Sequence, residues 1–142
     1  MKKFRLVLMV LGIIFLIGLL YFKNAPKGND TPKNQPGFQS QVDEQGGIAF
    51  TVIPLELGSG NPVKLEIKID THSGSLDFDL MKAAILNDDK GNIYQPQEWQ
   101  GSPSGGHHRS GILIFPKLER GVKSIRLTVQ DGYSGAFEWD LE

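Results

Sequence analysis

The 142-residue chain contains no cysteine. That excludes a disulfide framework and any redox chemistry at sulfur, so an exported domain of this sequence must hold by packing or with help from a ligand. Methionine is nearly absent beyond the first residues, since Met81 is the one methionine after position 9; methionine-rich copper motifs are therefore missing. Basic charge is scarce as well. From Gln41 to the end, 15 acidic residues face 9 Lys plus Arg, a net charge of −6 that the full-chain value of −1 conceals. Such a segment is a poor match for nucleic acid or an anionic lipid surface, both of which call for basic patches. No Gly-x-Ser-x-Gly elbow, His-Glu-x-x-His pair or cofactor fingerprint occurs, which argues against an enzyme. After residue 22 no stretch offers a convincing helical stripe, although residues 80–86 have room for one turn.

What is present begins at the first residue. Lys2, Lys3 and Arg5 lead into an uncharged apolar run over residues 6–22, closed by Lys23. As a helix its length is about 26 Å, at the short end of what crosses a bilayer core of about 30 Å. Phe4 and the flanking lysines extend its reach by snorkelling, and Tyr21 and Phe22 suit the interfacial aromatic belt. The short basic N-terminus is expected to stay cytoplasmic. A cleaved secretory signal has the same start, but here bulky residues and Pro26 follow where a signal peptidase needs small ones. The segment 1–23 therefore reads as a signal anchor in the cell membrane, and the remainder as extracytoplasmic.

Residues 24–45 are rich in Pro, Asn, Gln, Lys and Gly without an apolar period, the composition of a flexible linker stiffened by Pro26, Pro32 and Pro36. From residue 46 to 142 the pattern changes to period two, the signature of half-buried strands. Val63-Lys64-Leu65-Glu66-Ile67-Lys68-Ile69-Asp70 alternates four apolar residues with four charges. Ile125, Leu127 and Val129 alternate in the same way, as do Phe137, Trp139 and Leu141. Weaker patterns predict strands at 48–57, 76–80, 83–86 with 93–94, and 111–115. Turn chemistry separates them, as in Asp89-Lys90-Gly91-Asn92, where Gly91 is suited to a positive φ. Seven or so short strands in about 100 residues indicate an all-β, immunoglobulin-like antiparallel β-sandwich.

All three histidines fall in polar segments between strands: His72 in Thr71-His72-Ser73-Gly74-Ser75, and His107 and His108 after Gly105-Gly106. Imidazole is a common ligand of zinc and copper, and loops at one end of a sandwich bring distant residues together. These three are the candidate metal ligands, for zinc or copper. The competing reading makes them loop residues held by hydrogen bonds, and the strong metal spacings are absent. Asp77 and Asp79 share a face of the expected 76–80 strand and have the chemistry for calcium, but Asp88-Asp89-Lys90-Gly91 lacks the closing glutamate of a calcium loop. Trp139 belongs in the core. Trp99 reads as a core plug or as an anchor for a protein partner, and Arg109 is the charged candidate for the same partner.

The run Thr71-His72-Ser73-Gly74-Ser75-Leu76-Asp77-Phe78-Asp79-Leu80, with Glu98-Trp99-Gln100-Gly101 and Gly105-Gly106-His107-His108-Arg109-Ser110-Gly111, resembles a recurring module of uncharacterised membrane-anchored or secreted bacterial and archaeal proteins. It is also broadly similar to immunoglobulin-like accessory domains of exported lipoproteins, from which it departs by lacking the lipidated cysteine. The resemblance implies an exported β-sandwich and brings no activity with it. The sequence thus leads to a non-catalytic binding module for an extracytoplasmic partner, with a copper or zinc module as the alternative.

Overall fold

The computed structural model describes residues 37–131 and 133–141. The predicted anchor at 1–23 and most of the linker lie outside them. Among the described residues no helix is long and apolar enough to cross a membrane. Within the described residues, nine strands and one short helix follow in order: β1 (Gln41–Gln45), β2 (Ile48–Glu56), β3 (Pro62–Thr71), α1 (Leu80–Ala83), β4 (Ala84–Asp88), β5 (Ile93–Tyr94), β6 (Glu98–Gly101), β7 (His108–Lys117), β8 (Ser124–Gln130) and β9 (Ser134–Asp140). They form two antiparallel sheets, β1-β2-β3-β7-β6 and β5-β4-β8-β9.

The alternation in β3 sets the inside of the larger sheet. Val63, Leu65, Ile67 and Ile69 are buried and lie in register with Phe115, Leu113, Gly111 and Arg109 of β7. Ile125, Leu127 and Val129 of β8 face the same core from the smaller sheet, beside Phe137 and Trp139 of β9. One hydrophobic cluster thus takes residues from both sheets, the arrangement of a β-sandwich.

Three expectations change. Gln41–Gln45, read as linker, is strand β1, paired with β2 from Gln41↔Val52 to Gln45↔Ile48. It shows no apolar period because its Val42 points to solvent, 68% exposed, while its other contacts are polar. Residues 76–80 do not form a strand. Asp79 instead caps α1, its Oδ1 accepting the Met81 N–H at 3.0 Å, so Asp77 and Asp79 do not share a strand face. Trp99, expected outside a strand, lies in β6 opposite Leu113.

The sandwich has two distinct ends. Phe38, just before β1, packs with Leu57, Leu118, Val122 and Leu141 around a cleft of about 300 Å³ that also meets Glu119. This end, where the described chain enters, also carries the β4–β5 turn, tied to the 118–123 loop by Lys90 Nζ donating to the Arg120 carbonyl at 2.6 Å. The opposite end carries the β1–β2 turn, the 72–79 segment, α1, the 102–107 loop and the β8–β9 turn.

Candidate functional site

The far end gathers the residues that the sequence singled out, and backbone bonds join its two polar segments. Thr71 N–H donates to the His107 carbonyl at 2.9 Å, Leu76 N–H to Gly106 at 2.9 Å, and Gly105 N–H to Leu76 at 2.8 Å. Gly105 and Gly106 have φ of 105° and 74°, conformations that favour glycine, and this lets the 102–107 loop turn back against residue 76. Thr71, buried, donates from Oγ1 to the carbonyls of Gly47 at 3.1 Å and Ser73 at 2.7 Å, which fixes the start of the other loop.

The histidines do not converge. His108 lies on the outer face of the larger sheet in register with Asp70, its Nδ1 2.6 Å from Asp70 Oδ1. His72 and His107 are exposed on the loops. Among the described residues no group of three His, Cys, Asp or Glu side chains is close enough to hold a metal ion.

Arg109, next to His108 in sequence, points the other way. As its register partner Ile69 faces the core, so does Arg109, which is only 4% exposed. Its Nη1 donates to the carbonyls of Leu76 at 3.1 Å and Phe78 at 2.7 Å, while its buried Nε has no partner. The guanidinium carbon stands 5.3 Å from the Phe78 ring centre and 5.9 Å from that of Trp99, cation–π distances. Burial lowers its pKa below the ordinary arginine value against the opposing pull of Asp79 and Asp77. Arg109, singled out in the sequence as a candidate partner contact, is thus buried and turns Nη1 to two carbonyls of the fold.

This cation belongs to a row that crosses the core. Trp99 neighbours Arg109, Arg109 neighbours Phe78, Phe78 stacks with Phe50 at 6.1 Å, and Phe50 stacks with Tyr133 at 4.1 Å. Tyr133 then donates its hydroxyl to Asp43 Oδ2 of β1 at 2.7 Å. Burial, and after it this bond to Asp43, pushes the Tyr133 phenol above its usual pKa. Each end of the row rests on glycine. A Cβ on Gly101 or Gly111 would stand 2.5 or 2.9 Å from the Trp99 ring, and one on Gly135 would stand 2.3 Å from Tyr133. Trp99 is therefore half-buried as a core plug, its indole N–H donating to the Ser102 carbonyl at 2.8 Å. Sequence reasoning missed this row, although continuing the 111–115 alternation back two residues assigns Arg109 to the inner face.

At the entry end Asp88 plays the converse part. It is 8% exposed and accepts four hydrogen bonds: Lys90 N–H at 3.0 Å, Asn92 N–H at 2.8 Å, Asn92 Nδ2 at 2.9 Å and the Tyr94 hydroxyl at 2.8 Å. Burial alone would raise its pKa, but these donors outweigh it and hold the carboxyl below the ordinary 3.8. Gly91 has φ 86°, as its place in this turn requires.

No family model, curated protein or solved structure matches the chain.

Proposed function

We propose that the chain is a single-pass membrane protein with a cytoplasmic N-terminus, carrying an extracytoplasmic, non-catalytic binding module on an immunoglobulin-like sandwich. The strand order supports the immunoglobulin-like reading. Written as A-B-E-D and C′-C-F-G, the sheets of such folds correspond to β2-β3-β7-β6 and β5-β4-β8-β9, with β1 as an extra strand ahead of A. The observation that carries the reading is the polarity of the sandwich: the chain enters beside Phe38 at one end, and the loops bonded through Leu76, Gly105 and Gly106 crown the other. Held by its entry end, such a domain presents its sheet faces and far loops to the exterior. Two of the three buried charges among its described residues, Arg109 and Asp88, are bonded to groups of the fold rather than offered to a substrate.

The absence of cysteine makes a clean test. In intact cells expressing the full chain, a membrane-impermeant maleimide should label Ser104→Cys directly and Lys3→Cys only after lysis. Labelling of Ser104→Cys only after lysis would place the domain inside and overturn the reading.

The metal reading keeps one favourable observation. Asp70 on His108 Nδ1 leaves Nε2 directed away, the carboxylate–imidazole pairing that orients metal-bound histidines. Zinc or copper added in excess to the full chain would then raise Tm by mass action, and His108→Ala would abolish the rise. An unchanged Tm removes this alternative.

A further inference from the structure

The outer face of the larger sheet breaks the rule that a solvated antiparallel face is polar. Its central row runs Ile53, Glu66, Ile112 across β2, β3 and β7, with Ile114 beside Lys64 in the next row. Ile112 and Ile114 sit on this face while Leu113 and Phe115 face the core, so β7 is apolar on both sides in the manner of a strand covered on both faces. Ile53 gives β2 the same character.

Glu66, at the centre of that row, is only 7% exposed. Its Oε1 lies 3.5 Å from Lys68 Nζ, and its Oε2 is buried and accepts no hydrogen bond. The other flanking lysine, Lys64, is turned to Glu56 at 3.0 Å. A carboxylate oxygen withdrawn from water without a donor costs stability, and an apolar residue of similar shape would avoid that cost.

We propose that this face docks a protein partner that lays an arginine or lysine side chain on Glu66 between Ile53 and Ile112. The inference deepens the binding-module reading and rests on it. Three observations converge: the orphaned carboxylate oxygen needs a donor, the flanking isoleucines provide an apolar border, and the net charge of −6 from Gln41 onward favours a basic partner. A second copy of this chain fits less well, because a two-fold axis at this row would set Glu66 against Glu66.

The probe is the peptide acetyl-Leu-Arg-Leu-amide, with its neutral citrulline counterpart, titrated into isotope-labelled full chain in a zwitterionic detergent and followed by amide chemical shifts. The arginine peptide should move the amides of Ile53, Glu66 and Ile112 and the citrulline peptide should not. Glu66→Gln should abolish the response, whereas Glu119→Gln at the entry end should retain it. Equal shifts with both peptides, shifts that survive Glu66→Gln, or no shift at millimolar peptide would overturn the proposal. Shifts confined to residues 72–79 and 102–107 would overturn this face and leave a binding module standing. Glu66→Leu gives an independent reading: it should bind no peptide yet raise Tm by about 3 °C, the mark of a residue kept at the expense of stability. A fall in Tm would make Glu66 a structural partner of Lys68 and overturn the proposal.

Discussion

The two ends of the sandwich meet the same need with opposite charges. At the entry end an anion collects donors, as Asp88 draws two backbone N–H groups, an amide and a hydroxyl into the β4–β5 turn. At the far end a cation collects acceptors, as Arg109 takes two carbonyls of the 76–78 segment from inside the core. The difference follows from what each loop leaves unpaired. The short turn after β4 closes over its own N–H groups, which one carboxylate can gather within four residues. The segment between β3 and α1 runs across the top of the sandwich with carbonyls aimed downward, and only a long side chain from a different strand reaches them. The first device is local in sequence, and the second ties elements more than 30 residues apart.

Replacing Arg109 should therefore be the more damaging change. Arg109→Leu leaves two carbonyls without their donor and removes the cation from the aromatic row, for an expected loss of about 3 kcal/mol. For a domain of this size that lowers Tm by about 12 °C or more in a thermal melt. Arg109→Lys should recover only part of the loss, because an ammonium lacks the planar fork and stacks poorly. A variant within about 1 kcal/mol of wild type would show that the far end holds without its cation.

Asp88→Ala should cost about 2 kcal/mol at neutral pH by freeing four donors. The pH dependence separates the ends. Asp88 has its carboxyl held below 3.8 in the folded state, so its contribution is present above that value and is lost as the pH falls through the depressed folded one. Denaturation curves from pH 7 to 2 should show wild type and Asp88→Ala converging below pH 3.8. The gap between wild type and Arg109→Leu should not close in this way, since arginine stays charged throughout. A constant gap for Asp88→Ala would break the comparison.

The smallest effect is the coupling between the two. As the ends share no partner, the double variant should lose the sum of the single losses to within about 0.5 kcal/mol. A larger discrepancy in urea melts would mean that one end transmits its state through the core to the other.

Sequence patterning reached some of these features and missed others for physical reasons. The alternation of β3 was plain because each outward position carries a charge, and Gly91 marked its turn because the turn needs a positive φ. Trp139 was legible as core, and its indole N–H finds the Gln39 carbonyl at 2.9 Å. Strand β6 was hidden, since four residues with one inward tryptophan over glycine produce no periodicity. Arg109 read as surface because charge is normally solvated, and only its carbonyls and aromatic neighbours make its burial tolerable. The outward charge of Glu66 was visible in the pattern. Its burial was not, because that depends on isoleucines contributed by two other strands.

The polar residues just ahead of the β1–β2 turn have a consequence for handling the protein. Gln41 clasps β9 with its side-chain amide, donating to the Glu138 carbonyl and accepting the Glu138 N–H at 3.2 Å, while Gln45 accepts the Ser134 N–H at 3.3 Å. These side chains stand in for a missing neighbour along the rim of the smaller sheet. A protease that clipped the chain near Gly46 would strip that cover, bare the rims of β2 and β9 together and remove Phe38 from the entry-end cleft. The remaining fragment would then have two adjacent open templates for strand addition, and its fate would be edge-to-edge aggregation rather than a shorter soluble domain.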